Sequence, residues 1–121
     1  MKNTFEKLNL SGGSDGTPIQ ITGTAEGSSN IIHTAVNVAG QKDEVWVFAN
    51  NVETGGNAIG LTIFVDTDSD ATRLIVGVPF RQGLIYVIPG FVYANGKVIK
   101  AYASVANKIN VHGWVNRITA I

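Results

Sequence analysis

Chemistry in this chain has few residues to draw on. His33 and His112 are its only imidazoles and it has no cysteine, which excludes thiol catalysis, disulfide exchange and cysteine-ligated zinc. Two histidines cannot supply a three-histidine zinc site, so a mixed histidine and carboxylate site is the zinc arrangement that residue count leaves open. A Ser/His/Asp constellation is likewise open by counting alone. Both histidines fall in the middle of strand-like runs beside small or aromatic residues, which reads as structural or interface imidazole. Glu26, Asp43, Glu44 and Glu53 all fall near expected turns, where solvated carboxylates are expected in place of the facing pair that glycoside hydrolysis needs. The expectation is a protein that is not an enzyme and takes no cofactor.

Asp66-Thr67-Asp68-Ser69-Asp70 is the one metal-like spacing, since carboxylates at alternate positions can converge on a hard cation such as calcium. As an EF-hand loop it fails: Ala71 stands where the sixth-position glycine belongs and Gly77 where the bidentate glutamate belongs. A solvated hairpin loop accounts for Asp66, Asp68 and Asp70, with a looser calcium loop as the alternative. Gly12-Gly13 and Gly55-Gly56 lack the Gly-Lys-Ser/Thr and the following helix of a phosphate loop. Trp46, Trp114, Tyr86, Tyr93 and Tyr102 could form a stacking platform for sugars or bases. The only basic residues clustered near them are Lys97, Lys100, Lys108 and Arg117, and some of these rings must fill the core.

The totals limit what can position those side chains. A chain of 121 residues is one domain and can bury a core without disulfides. Nine basic and nine acidic residues cancel, and a charged fraction of 15% lies below the roughly 25% usual for globular domains. Such a surface is poor at steering phosphates, so no nucleic-acid partner is expected. No apolar run approaches the ~18 residues of a membrane span and no signal peptide is visible, so a soluble chain with no membrane partner is expected.

Residues 1–16 differ from the rest, with Phe5, Leu8 and Leu10 among polar residues followed by the linker-like SGGSDG. They read as a flexible N-terminal arm, either frayed or docking its three apolar side chains on a neighbouring subunit. Residues 17–121 read as an all-β domain, an antiparallel β-sandwich of jelly-roll kind with about eight strands at the spacing expected of such folds. In 17–24, Ile19 and Ile21 share a face; in 29–38, Ile32, Thr34, Val36 and Val38 oppose His33, Ala35 and Asn37. Val45, Val47 and Ala49 oppose Trp46 and Phe48, so that strand is apolar on both sides, and Trp46, Phe48 and Trp114 become candidate interface aromatics. Leu61, Ile63 and Val65 alternate with Thr62 and Phe64. Pro89-Gly90 is expected to end a strand. Asn95-Gly96, between FVYA and KVIK, signals a tight hairpin with Ala94 facing Lys97, inside a meander over residues 83–118.

The segments SNIIHTAVN, DEVWVFANN, LTIFVD, GLIYVIPGF, NGKVIKAYAS and INVHGWVNRI resemble a group of small proteins encoded among the structural genes of tailed bacteriophages. The resemblance covers about residues 17–118, and the acidic 66–70 loop departs from the Gly-rich loops of similar sequences. It implies a non-enzymatic virion structural protein, of capsid decoration or cement type, on the capsid exterior. The partners it implies are the major capsid protein and further copies of the chain, most naturally as a homotrimer at local threefold positions. A tail or head-tail component and a carbohydrate-binding β-sandwich module are the alternatives.

Overall fold

The computed structural model describes residues 3–120. It contains nine strands: β1 (Asn3–Asn9), β2 (Ile19–Ile21), β3 (Asn30–Thr34), β4 (Gln41–Asn51), β5 (Ile59–Val65), β6 (Arg73–Val78), β7 (Ile85–Tyr93), β8 (Val98–Ala103) and β9 (Ile109–Ala120). A single 3₁₀ turn, Glu26–Ser28, is the only helical piece among the described residues. One sheet runs β1-β9-β4-β7, with β2 also on β9, and the other β3-β8-β5-β6. Every pairing is antiparallel. The all-β, two-sheet reading holds, and the eight strands expected after residue 16 are β2 to β9.

The core lies between the sheets. Val45, Val47 and Ala49 of β4, with Val111 and Val115 of β9, meet Leu61 and Ile63 of β5 and Ile99, Ala101 and Ala103 of β8, all nearly inaccessible to solvent. The period of two had grouped Val45, Val47 and Ala49 of β4, and Leu61 and Ile63 of β5, on one face, as the structure has them. In β3 it failed. A bulge between Ile31 and His33 shifts the register, so Ile32 and His33, expected on opposite faces, are both buried, while Thr34 and Val38 are exposed.

The Asn95-Gly96 turn forms as its chemistry dictates, with φ of 58° and 72° and the Lys97 N–H donating to the Ala94 carbonyl at 3.3 Å. The strands it joins do not pair: β7 belongs to the first sheet and β8 to the second. The expected meander is therefore a crossing between sheets. Each strand has a better partner, since β4 gives β7 a mate along most of its length and β8 sits between β3 and β5. Pro89-Gly90 does not end β7 either. Pro89 pairs with Trp46 and Gly90 is accommodated at a register shift; β7 is an edge strand, where a missing N–H costs no ladder bond.

The N-terminal segment is not a free arm. Residues 3–9 form β1, paired along β9 from Asn3 opposite Ala120 to Asn9 opposite Trp114; Met1 and Lys2 lie outside the described residues. Leu10 is 5% exposed within the core, Leu8 packs against it, and Phe5 alone of the three remains out, at 67%. The linker-like stretch is stitched to β3: Gly12 N–H donates to Ile32 O at 2.9 Å and Thr34 N–H to Ser11 Oγ at 2.8 Å. No side chain fits at residue 12, because a Cβ there would lie 1.9 Å from the Ile31 carbonyl oxygen. Gly12→Ala is therefore expected to destabilise the fold by about 2 kcal/mol or more, measured as a lower urea midpoint at unchanged m-value.

Candidate functional site

Three places gather polar or aromatic side chains. The first is inside. Asp43 of β4, fully inaccessible, accepts four hydrogen bonds: from Arg117 Nε to Oδ1 at 2.8 Å, and to Oδ2 from Arg117 Nη2 at 3.1 Å, Val36 N–H at 3.0 Å and His33 Nε2 at 2.8 Å. His33 Nδ1 accepts from Ser11 N–H at 3.0 Å, which fixes the imidazole tautomer with its proton on Nε2. The sequence had placed Asp43 near a turn and in solvent. It is instead the hub joining β3, β4, β9 and the N-terminal segment, invisible to local patterning because its partners lie 7, 10 and 74 residues away.

Residue types in this hub match the Ser/His/Asp set that counting had left open, but the roles do not. Ser11 meets His33 through its backbone N–H, its Oγ is taken by Thr34 N–H, and both imidazole nitrogens are engaged. Residues 12–16 also spell Gly-x-Ser-x-Gly, a signal that residue reading passed over. There Ser14 lies in an exposed turn, its carbonyl accepting from the Thr17 N–H and hydroxyl, and the chain continues into β2 rather than the helix that a nucleophile elbow requires.

The second place is the 66–70 loop joining β5 and β6. Each carboxylate is matched by a donor of the chain. Asp66 accepts from Val98 N–H at 2.9 Å and Lys97 Nζ at 3.1 Å; Asp68 accepts from Arg73 Nε and from the Tyr102 hydroxyl at 2.7 Å; Asp70, almost fully exposed, accepts from Arg73 Nη1 at 3.1 Å. Their hydrogen bonds hold the Asp66 and Asp68 carboxyls below the usual carboxylate range, led by Val98 N–H for Asp66 and Arg73 for Asp68. The arrangement is an ion-paired loop tied to β8, and no cluster of three metal-ligating side chains occurs among the described residues.

The third place is the outer face of the first sheet. Trp46 lies opposite Trp114 and Phe48 opposite His112 across β4 and β9, and Tyr86 of β7 lies opposite Phe48. Trp46, Phe48 and Trp114, the sequence's interface aromatics, are thus brought together, each half-buried by the others. Glu44 Oε1 accepts from Trp46 Nε1 at 2.8 Å and Asn116 Nδ2 at 3.0 Å, and these bonds, Asn116 first, hold its carboxyl below the usual value. Lys7 Nζ sits 4.8 Å from the Trp114 ring centroid, a cation–π contact worth about 0.5–1 kcal/mol at an exposed site.

Sequence reading also missed the flank where β6 and β7, the outer strands of the two sheets, come together. Leu84, Tyr86, Phe91, Val92 and Ile75 are all at least half exposed there. Beside them opens a hollow of about 310 Å³ whose lining includes Ile63, Leu74, Ile88, Phe91 and Tyr93. Burial raises the Tyr93 hydroxyl above its usual pKa. A run of apolar residues, GLIYVIPGFV, had signalled a strand without saying that it would lie at an edge.

Comparison of the chain with protein-family models, with curated proteins and with solved structures returns no match in any of the three.

Burial by itself would raise the Asp43 carboxyl; the bonds from Arg117, His33 and Val36, with the charge of Arg117, outweigh it and lower the pKa. A lowered folded-state pKa means stability that is fully present above the unfolded value of about 3.9 and is lost as pH falls through it towards the folded value. Asp43→Asn is expected to flatten part of that acid limb, the remainder belonging to the other lowered carboxyls, Glu44, Glu53, Asp66 and Asp68. Asp43→Ala, which strands Arg117 and His33, is expected to cost about 3–5 kcal/mol at neutral pH. Urea unfolding of the wild type and both variants across the acid range checks both.

Proposed function

We propose that this chain is a non-enzymatic structural protein of a tailed-phage virion, a decoration protein held on the capsid exterior by contacts with the major capsid protein and with its own copies, as a homotrimer. The observation that carries the reading is the β6–β7 flank: Ile75 of β6, Phe91 and Val92 of β7 and Leu84 just before β7 stand 50–66% exposed along two adjoining edge strands. Exposed edges are normally guarded by charge, and large apolar side chains left there are suited to being covered by another polypeptide. The segment resemblance supplies the virion setting. Of the N-terminal residues expected to dock, Phe5 is the one still available; Leu10 is committed to the chain's own core.

The winding is inferred to be that of a jelly roll. In support, β5 pairs with β6, β4 with β7, β3 with β8 and β2 with β9, the nested order obtained when one long antiparallel ribbon is folded over on itself and its halves divided between two sheets. The fold presents its edge strands β6 and β7 at one flank, where a contact would also reach Tyr86 and Val92 on the outer side of the first sheet.

Saturable co-sedimentation with expanded, but not immature, capsids of the phage that encodes the chain is the expected result. Phe91→Asp combined with Leu84→Asp is expected to weaken that binding more than about tenfold, or 1.4 kcal/mol, and to shift the trimer to monomer in sedimentation equilibrium, with the melting transition retained. Indifference of both shell binding and oligomeric state to this double variant would remove the flank from the function.

A further inference from the structure

The β6–β7 flank is recessed, and the far edge of the first sheet carries a side chain suited to the recess. The hollow of about 310 Å³ reaches between the sheets, its lining including Ile63 of β5 and Ile88 of β7, both nearly inaccessible, with Leu74 of β6 and Phe91 and Tyr93 of β7 nearer the opening. An apolar cavity of about 150 Å³ already holds a benzene ring. Phe5, at 67%, is the most exposed large apolar side chain among the described residues. It lies on β1, which ends the β1-β9-β4-β7 sheet opposite β7. Three strand spacings, about 14 Å, keep it from the hollow of its own chain. The Phe5 of a second copy has no such limit.

Charge matches the two edges as well. Lys7 projects from the same side of β1 as Phe5, two residues and about 7 Å along, and its ammonium lies over Trp114 on the outer face. The rim of the hollow is acidic. Asp70 directly precedes the lining residues Ala71, Thr72 and Arg73, its side chain is 99% exposed, and it shares the one Arg73 guanidinium with Asp68. Two carboxylates on one guanidinium leave a negative charge over. Asp66 already has Lys97, and Glu6 sits opposite Arg117 of its own chain. A neighbour is held here by side chains and not by a shared ladder, since β7 shifts register twice against β4 and Pro89 has no N–H to offer.

We propose that Phe5 of one copy inserts into the β6–β7 hollow of the next, with Lys7 set on Asp70 at the rim. This rests on the flank being a self-contact surface, and it names what that surface receives. The contact joins one edge of a sheet to the opposite edge in the next copy, so it is heterologous and repeats around a ring. A ring of three leaves no hollow empty.

Sedimentation equilibrium of the full chain alone, with no shells present, tests the contact apart from the capsid reading. Wild type is expected to be a trimer. Phe5→Asp, at a position exposed in the single chain, is expected to keep the melting transition and to raise the concentration of half-assembly more than about tenfold. Lys7→Asp and Asp70→Lys, each alone, are expected to weaken assembly about two- to fivefold. Together in one chain they are expected to restore it, because every copy then supplies both exchanged charges. A wild type that stays monomeric, or a charge-exchanged double variant no better than its parents, overturns the proposal. A trimer lost with Phe91→Asp and Leu84→Asp but indifferent to Phe5→Asp overturns it while leaving the flank in place. Loss of the trimer in Phe5→Asp, from a wild type that binds no shell, upholds it and strikes the capsid reading alone.

Discussion

The fold depends on one buried carboxylate. Asp43 sits between two sheets with no solvent contact, where an unpaired charge would cost several kcal/mol. Its cost is offset only because four hydrogen bonds converge on it, two from Arg117 of β9 and one each from His33 and Val36, with Ser11 of the N-terminal segment joined through His33. Hydrophobic burial would hold the two sheets together in many relative positions, since it has no direction. The fork of Arg117 and the single donating nitrogen of His33 do have direction, and they fix β3 against β4 and β9. The N-terminal segment is fixed by the same group at one remove, since Ser11 N–H reaches the imidazole only when the Nε2 proton points at Asp43.

Much of the architecture could be read from alternation. Val45, Val47 and Ala49 inside, Trp46 and Phe48 outside, follow from a period of two in a long strand. Bulges and long-range pairing could not be read this way. At Ile32 an extra residue turns two consecutive side chains inwards, and no local pattern separates that from a slipped strand. Asn95-Gly96 specified its own backbone angles but not the partners of the strands on either side, because turn chemistry acts over four residues and sheet membership is decided by the whole winding. The N-terminal stretch misled for a related reason. Its glycines resemble a linker, yet Gly12 is there because the β3 backbone leaves no room for a side chain.

The candidate surfaces were legible to different degrees. Trp46, Phe48 and Trp114 were picked out by being apolar on the side of a strand away from the core, and the structure brings them together. Phe5, Leu8 and Leu10 had looked equivalent, but antiparallel pairing with β9 sends Leu8 towards the core and Phe5 to the opposite side, and only the exposed one is left for a partner. The acidic residues divided by context: Asp66, Asp68 and Asp70 face cations and hydroxyls at the surface, while Asp43, which looked the same in sequence, is internal.

The two outer faces of the sandwich treat their aromatic residues differently, and the contrast is informative about the first sheet. On the second sheet Phe64 also points away from the core, yet it is fully buried, packed against Tyr102 at 6.0 Å between centroids. The acidic loop supplies the cover: Asp68 binds both the Tyr102 hydroxyl and Arg73, the residue paired with Phe64 across β5 and β6. The same chain can therefore shield an outward ring with its own loop and a charge network. On the first sheet the rings stack on one another, Trp46 lies against the backbone at Gly90, Lys7 sits over Trp114 and Glu44 is bonded to Trp46. Stacking among the rings is worth about 0.5–1.5 kcal/mol per pair beyond their burial, enough to order them and not enough to hide them. The first sheet's rings are therefore ordered by one another, half-buried, where Phe64 is ordered by the loop and charge network above it.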